Sequence, residues 1–171
     1  ISAALKVLKK NSLNLVDGPS VKSLEKKIVN LFGKKYGLMV NSGSSANLLA
    51  LASFNFKKGS EIITPTLTFS TTISPIYHLG LVPHFIDVEE NKFIANINQI
   101  EKCINNKTVA LMIPNLLGNI PEWKVISKIA KKYKLKVIED SADTIGYKYE
   151  NSNTGKYSDV VTNSFYASHI I

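Results

Sequence analysis

The sequence predicts an α/β fold built on a mostly parallel sheet with helices on both faces. Three observations point there. Short apolar runs of strand length recur along the chain, amphipathic stretches of helix length separate them, and polar residues gather directly after the apolar runs. The alternation fills all 171 residues without an internal repeat, linker or low-complexity segment, so a single domain is expected. With 44% hydrophobic and 20% charged residues the chain has ordinary globular composition and enough apolar material for a core.

Ser20 to Gly33 reads as a helix: Gly18-Pro19 punctuates its start, Leu24, Ile28, Leu31 and Phe32 form one face, and Gly33 can end it. Leu38-Met39-Val40 reads as a short buried strand. Ser44 to Phe54 is helical and so apolar around its circumference (Ala46, Leu48, Leu49, Leu51, Ala52) that burial is expected. Glu61 to Thr64 is a strand, Phe69 to Leu79 a helix and Val82 to Ile86 a strand. Ile97 to Ile104 is a helix with Asn96 as its candidate cap, and Thr108 to Ile113 a strand. Glu122 to Tyr133 is a helix with Trp123, Ile126, Ile129 and Ala130 inward. Lys136 to Ile138, Ile145 to Tyr149 and Val160 to Phe165 are extended. Strands this short and apolar, joined by helices, imply crossovers and parallel pairing.

Composition narrows the function classes. The net charge is +8, yet every one of the 21 basic residues is lysine. Arginine is the preferred reader of phosphate and guanine, and the lysines are spread over several helices as solvated pairs such as Lys26-Lys27 and Lys131-Lys132. Solvated helix faces therefore explain the charge better than nucleic acid. No window reaches the roughly 20 apolar residues of a membrane helix, and Ile1 to Asn14 is a lysine-studded amphipathic stretch rather than a signal peptide. A single cysteine, Cys103, excludes an internal disulfide framework, and a cytoplasmic protein without membrane or nucleic-acid partners is expected. A start at Ile1 and an apolar finish at His169-Ile170-Ile171 suggest a fragment of a larger domain.

In open α/β sheets, ligands bind beyond the carboxyl ends of the strands. After Val40 comes Asn41-Ser42-Gly43-Ser44-Ser45-Ala46-Asn47, a strand-to-helix loop whose free N–H groups, glycine and hydroxyls suit an anion. A serine N-cap beside a turn glycine gives the same string. After Ile63 comes Thr64-Pro65-Thr66-Leu67-Thr68-Phe69, where Phe69 either stacks on a planar ligand or packs in the core. Asp140 ends an apolar strand, ready for a cationic ring nitrogen, a metal, a ribose, or a turn of its own backbone. Asp143 follows three residues later, but no His or Cys is near in sequence, which leaves a metal poorly supported. His169 is a candidate base or a structural histidine. Together these residues offer an anion cradle, an aromatic face, a carboxylate and a titratable base, a set that suits pyridoxal 5'-phosphate or pyridoxamine 5'-phosphate.

Four strings, Asn-Ser-Gly-Ser-Ser-Ala at 41–46, Thr-Pro-Thr-Leu-Thr-Phe at 64–69, Ile-Glu-Asp-Ser-Ala-Asp at 138–143 and Ser-Phe-Tyr-Ala-Ser-His at 164–169, occur in order from Gly18 onward. In this the chain resembles the DegT/DnrJ/EryC1/StrS family of pyridoxal-phosphate-dependent nucleotide-sugar aminotransferases. The resemblance implies the fold type I large domain, with 1–171 its N-terminal part and the C-terminal small domain absent. It implies that Gly43, Ser44, Ser45 and Ser164 hold the cofactor phosphate, Phe69 stacks on the ring, Asp140 pairs with the ring nitrogen and Asp143 lies near the ring hydroxyl. The family's lysine falls at position 169, where this chain has His169. An imidazole cannot supply the covalent tether of a lysine, but it can move a proton near neutral pH.

That exchange is similar to the sugar 3-dehydratase branch: CDP-4-keto-6-deoxyglucose 3-dehydratases, RfbH-type lipopolysaccharide enzymes and the GDP-4-keto-6-deoxymannose 3-dehydratase. It implies pyridoxamine-phosphate-dependent removal of the C3 hydroxyl from a nucleotide-linked 4-keto-6-deoxy sugar in deoxysugar or O-antigen synthesis. His169 would be the catalytic residue and a homodimer the assembly. Some members draw electrons from a reductase partner through a [2Fe-2S] cluster in the C-terminal half, and others recycle the amine with glutamate. Two departures stand out: Ala167-Ser168-His169-Ile170 where the branch has Pro-Ala-His-His, and Asn115 where it has His. The alternatives are an aminotransferase using another lysine, Lys156 being nearest upstream, and an inactive cofactor-binding homologue.

Overall fold

The computed structural model describes residues 1–10, 16–167 and 169. The amphipathic stretch at the start is thus described as far as Lys10, and Ser168, Ile170 and Ile171 of the last string lie outside the described residues. The helices are α1 (Ser2–Lys10), α2 (Pro19–Phe32), α3 (Gly43–Ala52), α4 (Ser70–His78), α5 (Ile97–Cys103) and α6 (Trp123–Tyr133). The strands are β1 (Glu61–Pro65), β2 (Val82–Ile86), β3 (Thr108–Pro114), β4 (Lys136–Ser141), β5 (Lys148–Tyr149), β6 (Ser152–Asn153) and β7 (Val160–Asn163). Five strands form one sheet in the order β2-β1-β3-β4-β7, every pair parallel, as the sequence predicts.

Strand alternation sends neighbouring residues to opposite faces, and each face has its own core. Ile62, Ala110, Met112 and Ile138 meet Ala50 and Leu51 of α3 and Ile76 of α4. Ile63, Leu111, Ile113 and Val137 meet Ile100 of α5 and Trp123, Ile126, Ile129 and Ala130 of α6. Because β1 runs on to β2 on one side while β3, β4 and β7 grow on the other, the strand order reverses between β1 and β3. The carboxyl ends of those strands therefore flank the crevice in which such sheets bind ligands.

Helix ends follow local chemistry. Pro19 opens α2, and Gly33 closes it in the left-handed region (φ 64°), its N–H and that of Lys34 donating to carbonyls of the last turn. Asn96 caps α5 through its side-chain oxygen and the Asn98 N–H.

Four expectations need correction. Leu38-Met39-Val40 is not a strand. The Met39 N–H donates to Glu25 Oε1 of α2 (2.7 Å) rather than to a neighbouring strand, and Leu38 is exposed. Gly37 presses on the same helix, where a Cβ would come 2.5 Å from Val29 Cγ2. The α3 helix buries only the side bearing Asn47, Ala50 and Leu51, while Leu49 is half exposed. Strand β4 runs three residues past Ile138, to Ser141, because β7 pairs with it over that length. Ile145 to Tyr149 contributes only the two residues of β5, which pair with β6 in a small antiparallel hairpin outside the main sheet.

Candidate active site

Alternation along β4 turns Asp140 to the α3/α4 face with Ile138. The residue is only 6% exposed, and every group bonded to its carboxylate is a donor. Asn47 Nδ2 of α3 and Thr72 Oγ1 of α4 both donate to Oδ2 at 2.8 Å, and the Ala142 N–H donates to Oδ1 at 3.1 Å. Asn47 is in turn fixed at its other end, where Oδ1 accepts from Thr162 Oγ1 of β7 (2.6 Å). Oδ1 of Asp140 accepts one bond and so keeps capacity for another donor.

Phe69 precedes α4 in extended backbone (φ −72°, ψ 144°), and the Thr72 N–H donates to its carbonyl. Phe69 is 68% exposed, so core packing is not its role. The helix turn that presents Phe69 thus also supplies a donor to Asp140.

At the start of α3 the capping residue is Ser42: its hydroxyl accepts from the Ser45 N–H (3.1 Å) and lies 3.1 Å from Ser45 Oγ. With Ala46 N–H on the Ser42 carbonyl, the N–H groups of Gly43 and Ser44 have no acceptor among the described residues. Gly43 lies against Ser164, where a Cβ would approach Ser164 Cβ at 3.1 Å. Glycine there lets the loop after β7 close on the helix N-terminus. Ser164 Oγ accepts from the Tyr166 N–H (3.2 Å).

Asp143 and His169 form a second pair. Asp143 Oδ2 accepts from the Leu117 N–H (2.8 Å), and Oδ1 is 3.9 Å from His169 Nε2. The ring of Tyr166 meets that of His169 edge-on at 5.5 Å. His169 Nδ1 is enclosed without a partner among the described residues, and Nε2 is the nitrogen that faces the Asp143 carboxylate.

The structure thus gathers the residues singled out in the sequence into three linked groups: Gly43 and Ser164 with Ser44 and Ser45, Asp140 with Phe69 one helical turn from its partner Thr72, and Asp143 with His169. Asn47 and Thr72 were not singled out; the available signal was a polar side chain on an otherwise apolar helix face. Asn115, a departure from the dehydratase pattern, is buried behind the site and bonded to Trp123 Nε1 (2.9 Å), Glu139, Ser141 and Thr144. Lys156 lies near Ser152 Oγ and Tyr157 at the opposite, α6 face, so it does not replace the missing lysine.

Among the described residues no cluster of three metal-ligating side chains occurs, and no helix is long and apolar enough to cross a membrane. The donor set fits a flat, cationic-ring phosphate ester. Free helix N–H groups and hydroxyls suit the phosphate, an exposed phenyl ring suits a planar face, and a buried carboxylate with spare acceptor capacity suits a ring N–H.

Comparison with known proteins agrees with this arrangement. The chain is 38% identical to dTDP-4-dehydro-2,6-dideoxy-D-glucose 3-dehydratase of Saccharopolyspora spinosa over 93% of this chain and 36% of that protein. It is 38% identical to lipopolysaccharide biosynthesis protein RfbH of Salmonella typhimurium over 87% of this chain and 36% of that one. The structure of E. coli GDP-4-keto-6-deoxy-D-mannose-3-dehydratase with bound hydrated PLP superposes with a TM-score of 0.81 at 34% identity, covering 88% of this chain and 40% of that chain. The chain therefore spans about two fifths of the length of these relatives. The sequence profile of the DegT/DnrJ/EryC1/StrS aminotransferase family matches residues 1–171, and the chain belongs to that family.

Proposed function

We propose that these residues are the N-terminal part of a cofactor-binding large domain whose full-length protein removes the C3 hydroxyl of a nucleotide-linked 4-keto-6-deoxy sugar with pyridoxamine 5'-phosphate. The observation that carries the reading is an imidazole, His169, in place of the family's lysine, with Asp143 3.9 Å from its Nε2. The named 3-dehydratases among the relatives support it, as does the share of their length that the chain spans.

When bound, the cofactor supplies a primary amine for the C4 ketone and a ring that accepts electrons. This chain's residues do the rest. Gly43 and Ser44 N–H groups with Ser45 and Ser164 hydroxyls hold the phosphate. Phe69 covers one ring face. Asp140, already positioned by Asn47 and Thr72, accepts the ring N–H and so keeps that nitrogen protonated. His169 takes up and returns a proton at Nε2, and the Asp143 carboxylate 3.9 Å away stabilises the cationic form.

The test is to incubate the full-length protein and pyridoxamine 5'-phosphate with a nucleotide-linked 4-keto-6-deoxyhexose and identify the product by NMR and mass. A 3-deoxy sugar is expected. A 4-amino sugar formed only with glutamate identifies an aminotransferase instead, and recovery of unchanged substrate under reducing conditions and with glutamate identifies an inactive homologue.

A further inference from the structure

Strand β4 carries two adjacent carboxylates on opposite faces. Asp140 belongs to the site; Glu139 lies on the α6 face and has no part in the chemistry above. It is fully buried, which costs several kcal/mol for a carboxylate left without partners, as an order of magnitude. Its partners are all donors. Oε1 accepts from Asn115 Nδ2 (3.1 Å) and Ser141 Oγ (2.7 Å), and Oε2 from Ser158 Oγ (3.1 Å). The Ser158 carbonyl accepts in turn from the Lys34 ammonium. Burial pushes the Lys34 pKa down, and attraction to Glu139 and Asp159 partly restores it.

Asn115 is the hub of this network. Trp123 Nε1 can only donate, and it donates to Asn115 Oδ1 (2.9 Å); a carboxylate at Glu139 can only accept, and it faces Asn115 Nδ2. The two together fix which end of the amide is which, while the hydroxyls of Ser141 and Thr144 rotate to suit. Asn115 also opens the turn leading to Asn119. The Gly118 N–H donates to its carbonyl, and Leu117 occupies the left-handed region (φ 53°), a strained conformation for leucine. That turn presents the Leu117 N–H to Asp143 Oδ2 (2.8 Å), whose other oxygen faces His169.

We propose that Glu139 is a positioning residue for the site on the other face of the sheet. With Trp123 it locks the Asn115 amide, and the locked amide holds the strained turn whose Leu117 N–H fixes Asp143 beside His169. The proposal rests on the reading above only in taking Asp143 and His169 as site residues.

The test uses the full-length protein. Glu139→Met removes the acceptor that faces Asn115 Nδ2, whereas Glu139→Gln keeps one, because its amide oxygen can take the place of Oε1 while its N–H group donates to Ser158 Oγ. Two quantities are measured: hydrogen exchange at the Leu117 amide without cofactor, and kcat and KM with it. In E139M, Leu117 exchange is expected to rise about tenfold or more while Leu111 and Ile138 amides stay near wild type, and kcat to fall about tenfold with KM little changed, the scale of one lost hydrogen bond to a charged group. E139Q is expected to stay close to wild type in both. Should E139M fail to accumulate, Trp123→Phe removes the donor at the other end of the amide and is expected to raise Leu117 exchange in the same way. Unchanged Leu117 exchange, a uniform rise across the sheet, or an E139Q variant as impaired as E139M would overturn the proposal. Absence of turnover in the wild type would count against the dehydratase reading alone, since the exchange measurement does not depend on it.

Discussion

Asp140 is held by donors from two helices and its own strand end, so its carboxyl is oriented before any ligand arrives. Ser164 fell inside the run read as extended, Val160 to Phe165, and was singled out only through the family resemblance. Asp140, Phe69 and His169 were legible as candidates because each follows an apolar run of strand length, and parallel sheets present their ligand groups at such places. Asn47 and Thr72 were not, since they lie inside helices and act by reaching sideways to the strand. Glu139 was hidden for another reason: an apolar count ends the strand at Ile138, and only the pairing of β4 with β7 extends the alternation that separates Glu139 from Asp140. The residue scale also carries a prediction for position 169. His169→Lys restores an amine where the family has one, and is expected to give a borohydride-fixable attachment of pyridoxal 5'-phosphate at that residue, read by peptide mass mapping. The wild-type protein is expected to show no attachment there, and to release its cofactor on dialysis.

Among the elements, α2 shows how much a single terminus decides. Gly33 ends the helix at φ 64°, and the Asn153 amide donates to the Asn30 carbonyl one turn back, tying the hairpin to the same helix end. Gly155 lies so close that a Cβ would be driven into the Phe32 carbonyl oxygen. Gly33→Ala is expected to cost about 1 kcal/mol from the left-handed backbone alone, and somewhat more because its Cβ would come 3.0 Å from Asn153 Nδ2; a urea midpoint measures it. Most helices and strands were legible from periodicity, with ends shifted by a residue or two. Leu38-Met39-Val40 was not: three apolar residues satisfy a strand pattern, but the backbone donor there is taken by Glu25, which no periodicity reveals. The extended reading of Ile145 to Tyr149 contained β5, but β6 and their antiparallel pairing were missed because two-residue strands carry almost no alternation.

For the whole molecule, the cores on the two faces of the sheet explain why the fold class was so plainly legible: the middles of β1, β3 and β4 are apolar whichever way a residue points, and polar residues enter towards the strand ends. Stability of the assembled fold should carry a mark of Tyr149, which packs against the α6 core and donates to Glu122 Oε2 (2.9 Å). Burial first, and then Glu122, push its phenol up to about 12. The folded state then holds this proton more tightly than the unfolded chain, whose tyrosine titrates near 10. Its contribution is therefore full below about pH 10 and is lost as pH rises towards 12. The stability difference between wild type and Tyr149→Phe is expected to shrink between about pH 10 and about pH 12, read from urea midpoints at each pH.

The most direct measurement on the site is an equilibrium titration of the full-length protein with pyridoxamine 5'-phosphate, wild type against Asp140→Asn. Saturable binding by the wild type is expected, weakened about tenfold or more in the variant, the scale of a lost charge-assisted hydrogen bond. No saturable binding by the wild type, or equal affinity in the two proteins, would contradict a ring nitrogen seated on the Asp140 carboxylate.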